Sequence, residues 1–237
     1  MVPVEISPWE ERQLSLLIQQ TGAQPASFTV RKFKADGGFV VRVIARGAAT
    51  VYQSEGPQDW TSGFARDLEA GVFGQGGSAT APAAIRDALH AIEKALARSG
   101  LHGALKLLNA RVPHRFTAVY RLEGNLLRSV DTVDKHLHLD PLDLRAVPLK
   151  DSFCQFVLRD GLFLTQDSGR DPRLAGHPYG GVMQCYAGVP ITRDGAMAGS
   201  LCHFDLVNHE VADEDYLLLS HAARLMPAFL GASVIGH

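Results

Sequence analysis

The stretch that decides the fold is residues 183–206, which read MQCYAGVPITRDGAMAGSLCHFDL. Small and apolar residues predominate on either side of Asp194-Gly195, a dipeptide typical of the turn of a β-hairpin. We therefore predict two antiparallel strands, Met183–Thr192 and Met197–Leu206. Gly188 and Pro190 lie in the first of these strands. They favour an edge strand or a β-bulge, where not every ladder hydrogen bond is needed.

The sequence around this hairpin predicts the remaining elements of one domain. In chain order they are a helix with Ile85, Leu89, Ile92 and Leu96 on one face, a short helix through Leu105 and Leu108, strands Phe116–Leu122 and Leu126–Val133, a helix Asp151–Arg159, a strand Leu162–Gln166, and a helix from Asp213 to about Leu230. Hairpin-paired strands with helices at both ends indicate an α+β domain, in which a sheet is layered against helices. The Ile85–Leu96 stripe fits packing within the domain and a dimerisation helix equally well, because periodicity does not identify the partner.

Residues 1–74 predict a separate, small α+β domain with the order αβββα and no recognisable family. A helix Pro8–Gln20 precedes three strands, and a second helix ends near Val72; the strands are Phe28–Lys34, Phe39–Ala45 and Ala49–Ser54. Residues 75–82 are rich in Gly, Ser, Ala and Pro, a composition typical of a linker. The predicted division is therefore 1–74, 75–82 and 83–235.

Composition narrows the class of protein. The 237 residues are 46% hydrophobic and 20% charged, with a net charge of −2, as in an ordinary globular protein. No basic cluster suits a nucleic-acid backbone, and no apolar run approaches the ~20 residues of a membrane helix. We expect neither nucleic acid nor membrane as a partner. Three widely spaced cysteines and the lack of a signal sequence predict a cytoplasmic protein without a disulfide framework.

Five segments, in order, resemble the GAF family of small-molecule sensory domains. RFTAVYR (115–121) is similar to the first GAF hairpin and SFC (152–154) to the short cross-helix. Asp167 with DPRL (171–174) and HP (177–178) resembles the DxxxDPRF…NP loop of bacterial GAF sensors. YAGVPI (186–191) and GSLCHFD (199–205) resemble the last two strands. The resemblance covers about residues 101–230.

This resemblance implies a central antiparallel sheet flanked by helices, with a small-molecule cavity on one face and dimers formed through terminal helices. It implies a non-catalytic sensory protein, which transmits by conformational change or dimer rearrangement to a downstream signalling protein. It identifies no cofactor. Phytochrome-type domains attach a bilin through a cysteine, which is missing near His177, and the NKFDE signature of cyclic-nucleotide domains is also absent.

The alternative function is a GAF-type free methionine sulfoxide reductase or a cysteine-based redox sensor. Such reductases use cysteines, and this chain contains Cys154, Cys185 and Cys202. However, the GHIACD-like segment of the reductases is missing, and the three cysteines do not match their pattern residue by residue. A sensor is therefore the preferred interpretation.

Seven residues are predicted to line the cavity: Tyr120, Cys154, Asp167, Arg170, His177, Tyr186 and His203. Arg170 would suit a carboxylate or phosphate, because a guanidinium group binds such anions bidentately. Its alternative role is to hold its own loop together with Asp171. His203 either reaches the cavity or satisfies a hydrogen bond in the core.

Two further patterns have a chemical and a purely structural interpretation. Cys154 is predicted in the first turn of a helix, where amide donors favour a thiolate, but a free cysteine is more commonly a small buried apolar residue. His136 and His138, with Asp140, form a metal-like grouping. One H-x-H in a polar loop constrains little, so we expect solvated histidines and no metal site.

Overall fold

The structure, a computed structural model, describes residues 2–35, 37–45, 48–54, 60–73, 83–136, 145–193 and 196–231. The chain divides into two compact units, Met1–Pro82 and Ala83–His237. The whole of the predicted linker 75–82, the residues His138 and Asp140, and the predicted turn Asp194-Gly195 lie outside the described residues. Within the described part of the chain, no helix combines the length and the apolar character needed to cross a bilayer.

The N-terminal unit is a four-stranded antiparallel sheet with two α-helices. Its elements are β1 (Val2–Val4), α1 (Pro8–Gln20), β2 (Phe28–Ala35), β3 (Gly38–Ala45), β4 (Ala48–Ser54) and α2 (Trp60–Glu69). The strands lie in the order β1-β2-β3-β4. The α+β class is confirmed, and β1 is an addition to the predicted αβββα order. It has only three residues, too few for a periodic signal, and it is defined by pairing of Val2 with Lys34 and Val4 with Lys32.

A buried ion pair joins α1 to β2 in this unit. Glu10 Oε1 lies 2.6 Å from Lys32 Nζ, and both side chains are only 3% exposed. Trp60 Nε1 donates to the same oxygen at 3.2 Å, while the backbone N–H and hydroxyl of Ser7 donate to Oε2, each at 2.9 Å. Burial raises the pKa of Glu10, but hydrogen bonds led by Lys32 outweigh it and hold the pKa below its ordinary value.

The C-terminal unit has a six-stranded antiparallel sheet between helices. Its elements are α3 (Ala83–Arg111), β5 (Phe116–Glu123), β6 (Leu126–Asp134), β7 (Ala146–Pro148), α4 (Cys154–Asp160), β8 (Phe163–Thr165), β9 (Cys185–Arg193), β10 (Ala196–Asp205) and α5 (Asp213–Ala223). The strand order is β7-β6-β5-β10-β9-β8, so the first and last hairpins meet at the centre. Contacts of α3 and α5 lie on one face of the sheet, and α4 covers the other.

Gly100 breaks α3, where the backbone has φ 65° and ψ −163°. Ile85 and Ile92 are each only 1% exposed within a single chain. Three of the four stripe residues, Ile85, Ile92 and Leu96, are therefore buried in one copy of the protein, while Leu89 is partly exposed. The homodimer stays a prediction.

The edge position predicted from Gly188 and Pro190 holds for Pro190 but not for Gly188. Gly188 is paired on both sides, with Cys202 of β10 and Phe163 of β8. Pro190 pairs with Ser200, but β8 ends before reaching it, because its last partner on β9 is Gly188. Pro190 therefore occupies the stretch of β9 where only one neighbouring strand is present, which tolerates a missing N–H.

Two histidines are buried between the sheet and the helices. His114 and His203 are each 1% exposed, and their rings lie 5.9 Å apart. Asn109 donates to the hydroxyl of Thr117 at 2.8 Å, and the same hydroxyl is hydrogen-bonded to His203 Nδ1 at 2.7 Å. Burial lowers the pKa of His203 to about 3 and, with the nearby His209, that of His114 to about 4. Both rings are therefore neutral in the folded state.

The ion pair predicts a charge-specific loss of stability. Lys32→Met keeps the apolar stem but leaves the buried Glu10 carboxylate without its cation, which should lower the free energy of unfolding by about 3–5 kcal/mol. Arg31→Met makes a similar change at the exposed neighbouring residue and should stay within about 0.5 kcal/mol of the wild type. Urea unfolding would measure both variants. Equal losses would contradict the ion-pair argument.

The buried histidines predict acid sensitivity. An unfolded histidine has a pKa near 6.5, so as the pH falls below that value the unfolded chain binds protons that the folded one does not. Between pH 7 and 5.5 the free energy of unfolding should fall by about 1 kcal/mol for each ring. His203→Gln should remove one ring's share of this slope, whereas His90→Gln, whose ring is 64% exposed, should leave it intact. Equal slopes in all three proteins would show that His203 is not the group responsible.

Candidate functional site

A small, partly enclosed cavity lies between α4 and the sheet of the C-terminal unit. Its volume is about 20 Å³, room for about one water molecule. It is lined by apolar and aromatic side chains with a few neutral polar groups: Tyr120, Leu127, Val147, Ser152, Phe153, Cys154, Tyr179, Met183, Tyr186, Cys202 and Phe204. No Asp, Glu, His, Lys or Arg is among these lining residues.

The space arises from small residues beside Cys202. In the antiparallel register, Cys202 on β10 is opposite Ala118 on β5 and Gly188 on β9. Directly paired side chains share one face of a sheet, so Cys202 has no large neighbour on either side. Two residues further on, Phe204 stacks on Phe116 with ring centroids 4.9 Å apart and closes that end.

Gly188 also sets the direction of Tyr186. A Cβ atom at Gly188 would lie 2.5 Å from the Tyr186 ring and hydroxyl, closer than side chains approach. Because Gly188 has no Cβ, the ring lies across the sheet and its hydroxyl reaches Cys154 Sγ at 3.2 Å. A glycine at this position is therefore required by the close approach of the ring.

Cys154 is the centre of a buried polar cluster. Ser200 Oγ donates to Cys154 Sγ at 3.1 Å, and Ser152 Oγ accepts from the Cys154 backbone N–H at 2.9 Å. Hydrogen bonds from the Cys202 thiol and then from Ser152, Ser200 and Tyr186 lower the pKa of Cys154, against the opposing effect of burial. Burial raises the pKa of Cys202 and Tyr186, and their interaction with Cys154 raises it further. Cys154 is therefore the group in this cluster that ionises first.

Residues 167–184 cover the cavity. The Ser168 N–H donates to the Gln184 carbonyl at 2.8 Å, and Ser168 Oγ accepts from the Gly181 N–H at 2.8 Å, so the two ends of the segment are tied together. The segment places Tyr179 and Met183 over the cavity. Tyr179 is the only partly exposed residue among those that line it, and it therefore stands between the cavity and solvent.

The structure brings three of the seven predicted residues together: Tyr120, Cys154 and Tyr186 line the cavity. His177 packs behind its wall, with its ring centroid 4.8 Å from that of Phe153. The other three lie elsewhere, and ligand binding by the seven residues stays a prediction.

Arg170, Asp167 and His203 point away from the cavity for identifiable reasons. The Arg170 side chain is 89% exposed and lies 3.6 Å from Asp167, so this pair is on the outer surface of the covering segment. His203 lies between Cys202 and Phe204 on β10, and alternate side chains of a strand face opposite sides. Its ring therefore contacts Thr117 on the face covered by α3 and α5. Of the two roles predicted for His203, the structure shows the hydrogen bond in the core.

Sequence reasoning did not select several of the lining residues. Cys202 and Phe204 could have been predicted from the alternation of side chains along a strand. Both lie on the same face of the predicted hairpin as Tyr186. Val147 belongs to the three-residue strand β7, inside a segment predicted as a loop. Met183 and Tyr179 depend on how the 167–184 segment folds back, for which no local signal exists.

The arrangement suits thiol chemistry or the binding of a small uncharged molecule. All three cysteines are free and buried, and two of them face the cavity. Cys185 instead donates to the Val207 carbonyl at 3.2 Å, and burial raises its pKa to about 12. Among the described residues, no group of three or more His, Cys, Asp or Glu side chains is placed to hold a metal ion.

Comparison with solved structures identifies the fold of this unit. The GAF domain of an Acinetobacter phosphoenolpyruvate-protein phosphotransferase matches with TM-score 0.52 and 13% identity, over 63% of this chain and 93% of that one. The free methionine-R-sulfoxide reductase of Neisseria meningitidis, solved with its substrate, matches with TM-score 0.50 and 18% identity, over 61% and 87%. A type II free methionine-R-sulfoxide reductase of Thermoplasma acidophilum has TM-score 0.46 and 23% identity, over 59% and 94%.

No protein-family model and no curated protein matches the chain. At these identities the structural likeness concerns the fold alone. The C-terminal unit of this chain is therefore a domain of the GAF fold.

Proposed function

We propose that this chain is a non-catalytic sensory protein, which binds a small molecule in the cavity beside Cys154 and transmits by conformational change. The observation that carries the proposal is that the thiols of Cys154 and Cys202 line a largely apolar cavity together with a few hydroxyl-bearing residues. Two hydroxyls converge on the Cys154 sulfur, that of Tyr186 at 3.2 Å and that of Ser200 at 3.1 Å. Ligand sites typically combine an apolar lining with a few converging polar groups.

The size of the cavity supports a two-state response. About 20 Å³ holds little more than a water molecule, so a larger ligand requires the 167–184 segment to move outward. The side chains of Tyr179 and Met183, which lie over the cavity, would have to move away from it. A ligand that binds only the opened form shifts the population toward it by its differential affinity for the two forms. This movement is the conformational signal in our proposal.

The lining favours an uncharged ligand. Tyr186, Ser152 and the Cys202 thiol supply neutral donors and acceptors, and Cys154, whose pKa is lowered, would repel an anion. The predicted anion partner Arg170 lies outside, with its side chain 89% exposed. Burying a charged ligand without a counter-charge would cost more than these neutral groups return. Bilins and nucleotides carry acidic groups, which this lining does not match.

Transmission beyond the domain is part of the same proposal. It retains the division 1–74, 75–82 and 83–235, a cytoplasmic location, a homodimer and a downstream signalling partner. Since Ile85 and Ile92 are buried in one chain, a dimer would use another face of α3, where Leu107 is 41% exposed. The domain of residues 1–74 would then receive or relay the change.

Ligand binding predicts a thermal shift that depends on the cavity. Indole and pyridine, each paired with its carboxylate derivative, would be screened by differential scanning fluorimetry. At a hundredfold excess over Kd a ligand stabilises the folded state by about 2.7 kcal/mol, which raises the melting temperature by a few degrees. We expect the uncharged member of a pair to give the larger shift.

Two variants test where such a ligand binds. Tyr186→Phe removes one hydroxyl from the cavity and should reduce the shift, whereas Arg170→Ala changes an exposed side chain and should preserve it. If only the carboxylates bind, and Arg170→Ala abolishes their effect while Tyr186→Phe does not, the proposed cavity is the wrong site.

The second candidate function is a free methionine sulfoxide reductase. It is favoured by two thiols in one cavity and by the fold shared with the Neisseria enzyme. The absence of the GHIACD-like segment and the small volume of the cavity favour the sensor instead.

An activity assay separates the two functions. The wild-type protein should not reduce free methionine-R-sulfoxide above the rate of a Cys154→Ser/Cys202→Ser double variant, with dithiothreitol as reductant. NADPH-coupled turnover with thioredoxin and thioredoxin reductase would provide a second readout. Turnover that disappears in Cys154→Ser and survives in Cys185→Ser would establish the reductase and refute the sensor.

A further inference from the structure

Two thiols from distant parts of the chain face the same enclosed space. Cys154 begins α4 and Cys202 lies in the middle of β10, and both line the cavity. Cys154 Sγ accepts from Ser200 Oγ at 3.1 Å, and Cys202 Sγ lies 3.7 Å from the Ala118 carbonyl oxygen. The neighbouring Cys202 thiol is also the main cause of the lowered pKa of Cys154. A thiol next to a second thiol can be oxidised to a disulfide without recruiting another chain.

The cavity admits only a very small reagent in its closed form. At about 20 Å³ it suits a molecule close to the size of water. Hydrogen peroxide, with two oxygen atoms, is the smallest common two-electron oxidant of thiols, and its entry would need only a slight displacement of Tyr179. Larger oxidants would require the whole 167–184 segment to open.

The polar groups around Cys154 fit attack on a peroxide. A thiolate is the nucleophile in thiol oxidation, and the neighbouring donors lower the pKa of Cys154 while that of Cys202 is raised. Tyr186 and Ser200 place hydroxyls 3.2 and 3.1 Å from the sulfur. These hydroxyls can donate to the oxygen that leaves as the O–O bond breaks. The cavity thus contains one thiol that ionises readily, Cys154, and a neighbouring thiol that stays protonated, Cys202.

We propose that Cys154 is a peroxide-reactive thiol and that Cys202 resolves it as a disulfide. The Cys154 thiolate attacks one oxygen of the hydroperoxide, an S–O bond forms, and the O–O bond breaks to release hydroxide or an alkoxide. The Cys202 sulfur then attacks the Cys154 sulfenic acid, forming the S–S bond and releasing its hydroxyl group, which leaves as water with the Cys202 proton. The two thiols lose two electrons, and the peroxide gains them.

This proposal rests on the proposed function, since it makes the same cavity the sensing site and names its chemical input. Disulfide formation would bring the sulfurs to about 2.05 Å and draw the start of α4 toward β10. Phe153 and Ser152 lie immediately before Cys154 and also line the cavity. The packing under Tyr179 and Met183 would change with them, so oxidation would alter the covering segment as ligand binding would.

Mass spectrometry of the intact protein after hydrogen peroxide treatment tests the proposal. The wild type should lose the mass of two hydrogen atoms, and peptide mapping should find Cys154 linked to Cys202. Cys202→Ser should instead accumulate a sulfenic acid on Cys154, which dimedone captures. Cys154→Ser should form neither product, and Cys185→Ser should behave as the wild type because Cys185 lies outside the cavity.

Relative rates keep the test informative if a cysteine variant does not fold. In the wild type, Cys154 should react at least about tenfold faster than Cys185, as expected for an ionised against a protonated thiol. Tyr179→Ala, at the partly exposed edge, should accelerate the reaction with cumene hydroperoxide more than that with hydrogen peroxide. Equal rates at the two cysteines, or oxidation of Cys154 only in urea, would identify it as an inert buried residue and overturn the proposal.

The peroxide experiment and the ligand screen can fail independently of each other. A Cys154–Cys202 disulfide without any thermal shift in the ligand screen would support the redox inference and refute reversible ligand binding. A thermal shift with unreactive cysteines would do the reverse. Reversal of the disulfide by thioredoxin, followed by recovery of the original mass, would support a sensor that is reset in a reducing compartment.

Discussion

The alternation of side chains along β10 is the constraint on which the C-terminal domain depends. This strand lies between β5 and β9 at the centre of the sheet, and its successive residues face opposite layers. Ser200, Cys202 and Phe204 face α4 and the cavity, whereas His203 reaches Thr117 on the side of α3 and α5. A slip of one residue would exchange the two sets and bury the wrong groups against each layer. Pairing on both sides of β10 makes such a slip costly.

The cavity is a consequence of that register and of residue size. A large side chain at Ala118 or Gly188 would fill the space over Cys202, and even one Cβ at Gly188 would displace Tyr186. Protein interiors normally close such gaps, because lost contacts and unfilled volume are unfavourable. Here the thiols and hydroxyls beside the gap form hydrogen bonds with one another, so burying these polar atoms costs little free energy. The site is thus compatible with a stable fold before any ligand arrives.

The two units solve the burial of polar groups in different ways. The N-terminal unit buries a full charge pair, Glu10 with Lys32, and surrounds the carboxylate with donors from Ser7 and Trp60. These interactions are strong, but neither partner can be changed without destabilising the fold, because removal of one leaves an uncompensated buried charge. The C-terminal unit also holds a largely buried ion pair, Asp171 with Arg173, but it buries in addition imidazoles and thiols whose protonation or oxidation can change. Chemical responsiveness is therefore concentrated in the C-terminal unit.

The sequence by itself determined the elements that depend on local patterns. Helix Pro8–Gln20 has its own capping residues, and the strands around Asp194-Gly195 and Glu123-Gly124 are long enough to be periodic. Only the tertiary structure decided the rest. The strands Val2–Val4 and Ala146–Pro148 exist through pairing with distant partners, and the surface position of Arg170 depends on how its loop folds. The cavity depends on Ala118, Cys154, Gly188 and Cys202, which are brought together from separate parts of the chain. Its volume is the space left after all of them pack, and no local pattern encodes that quantity.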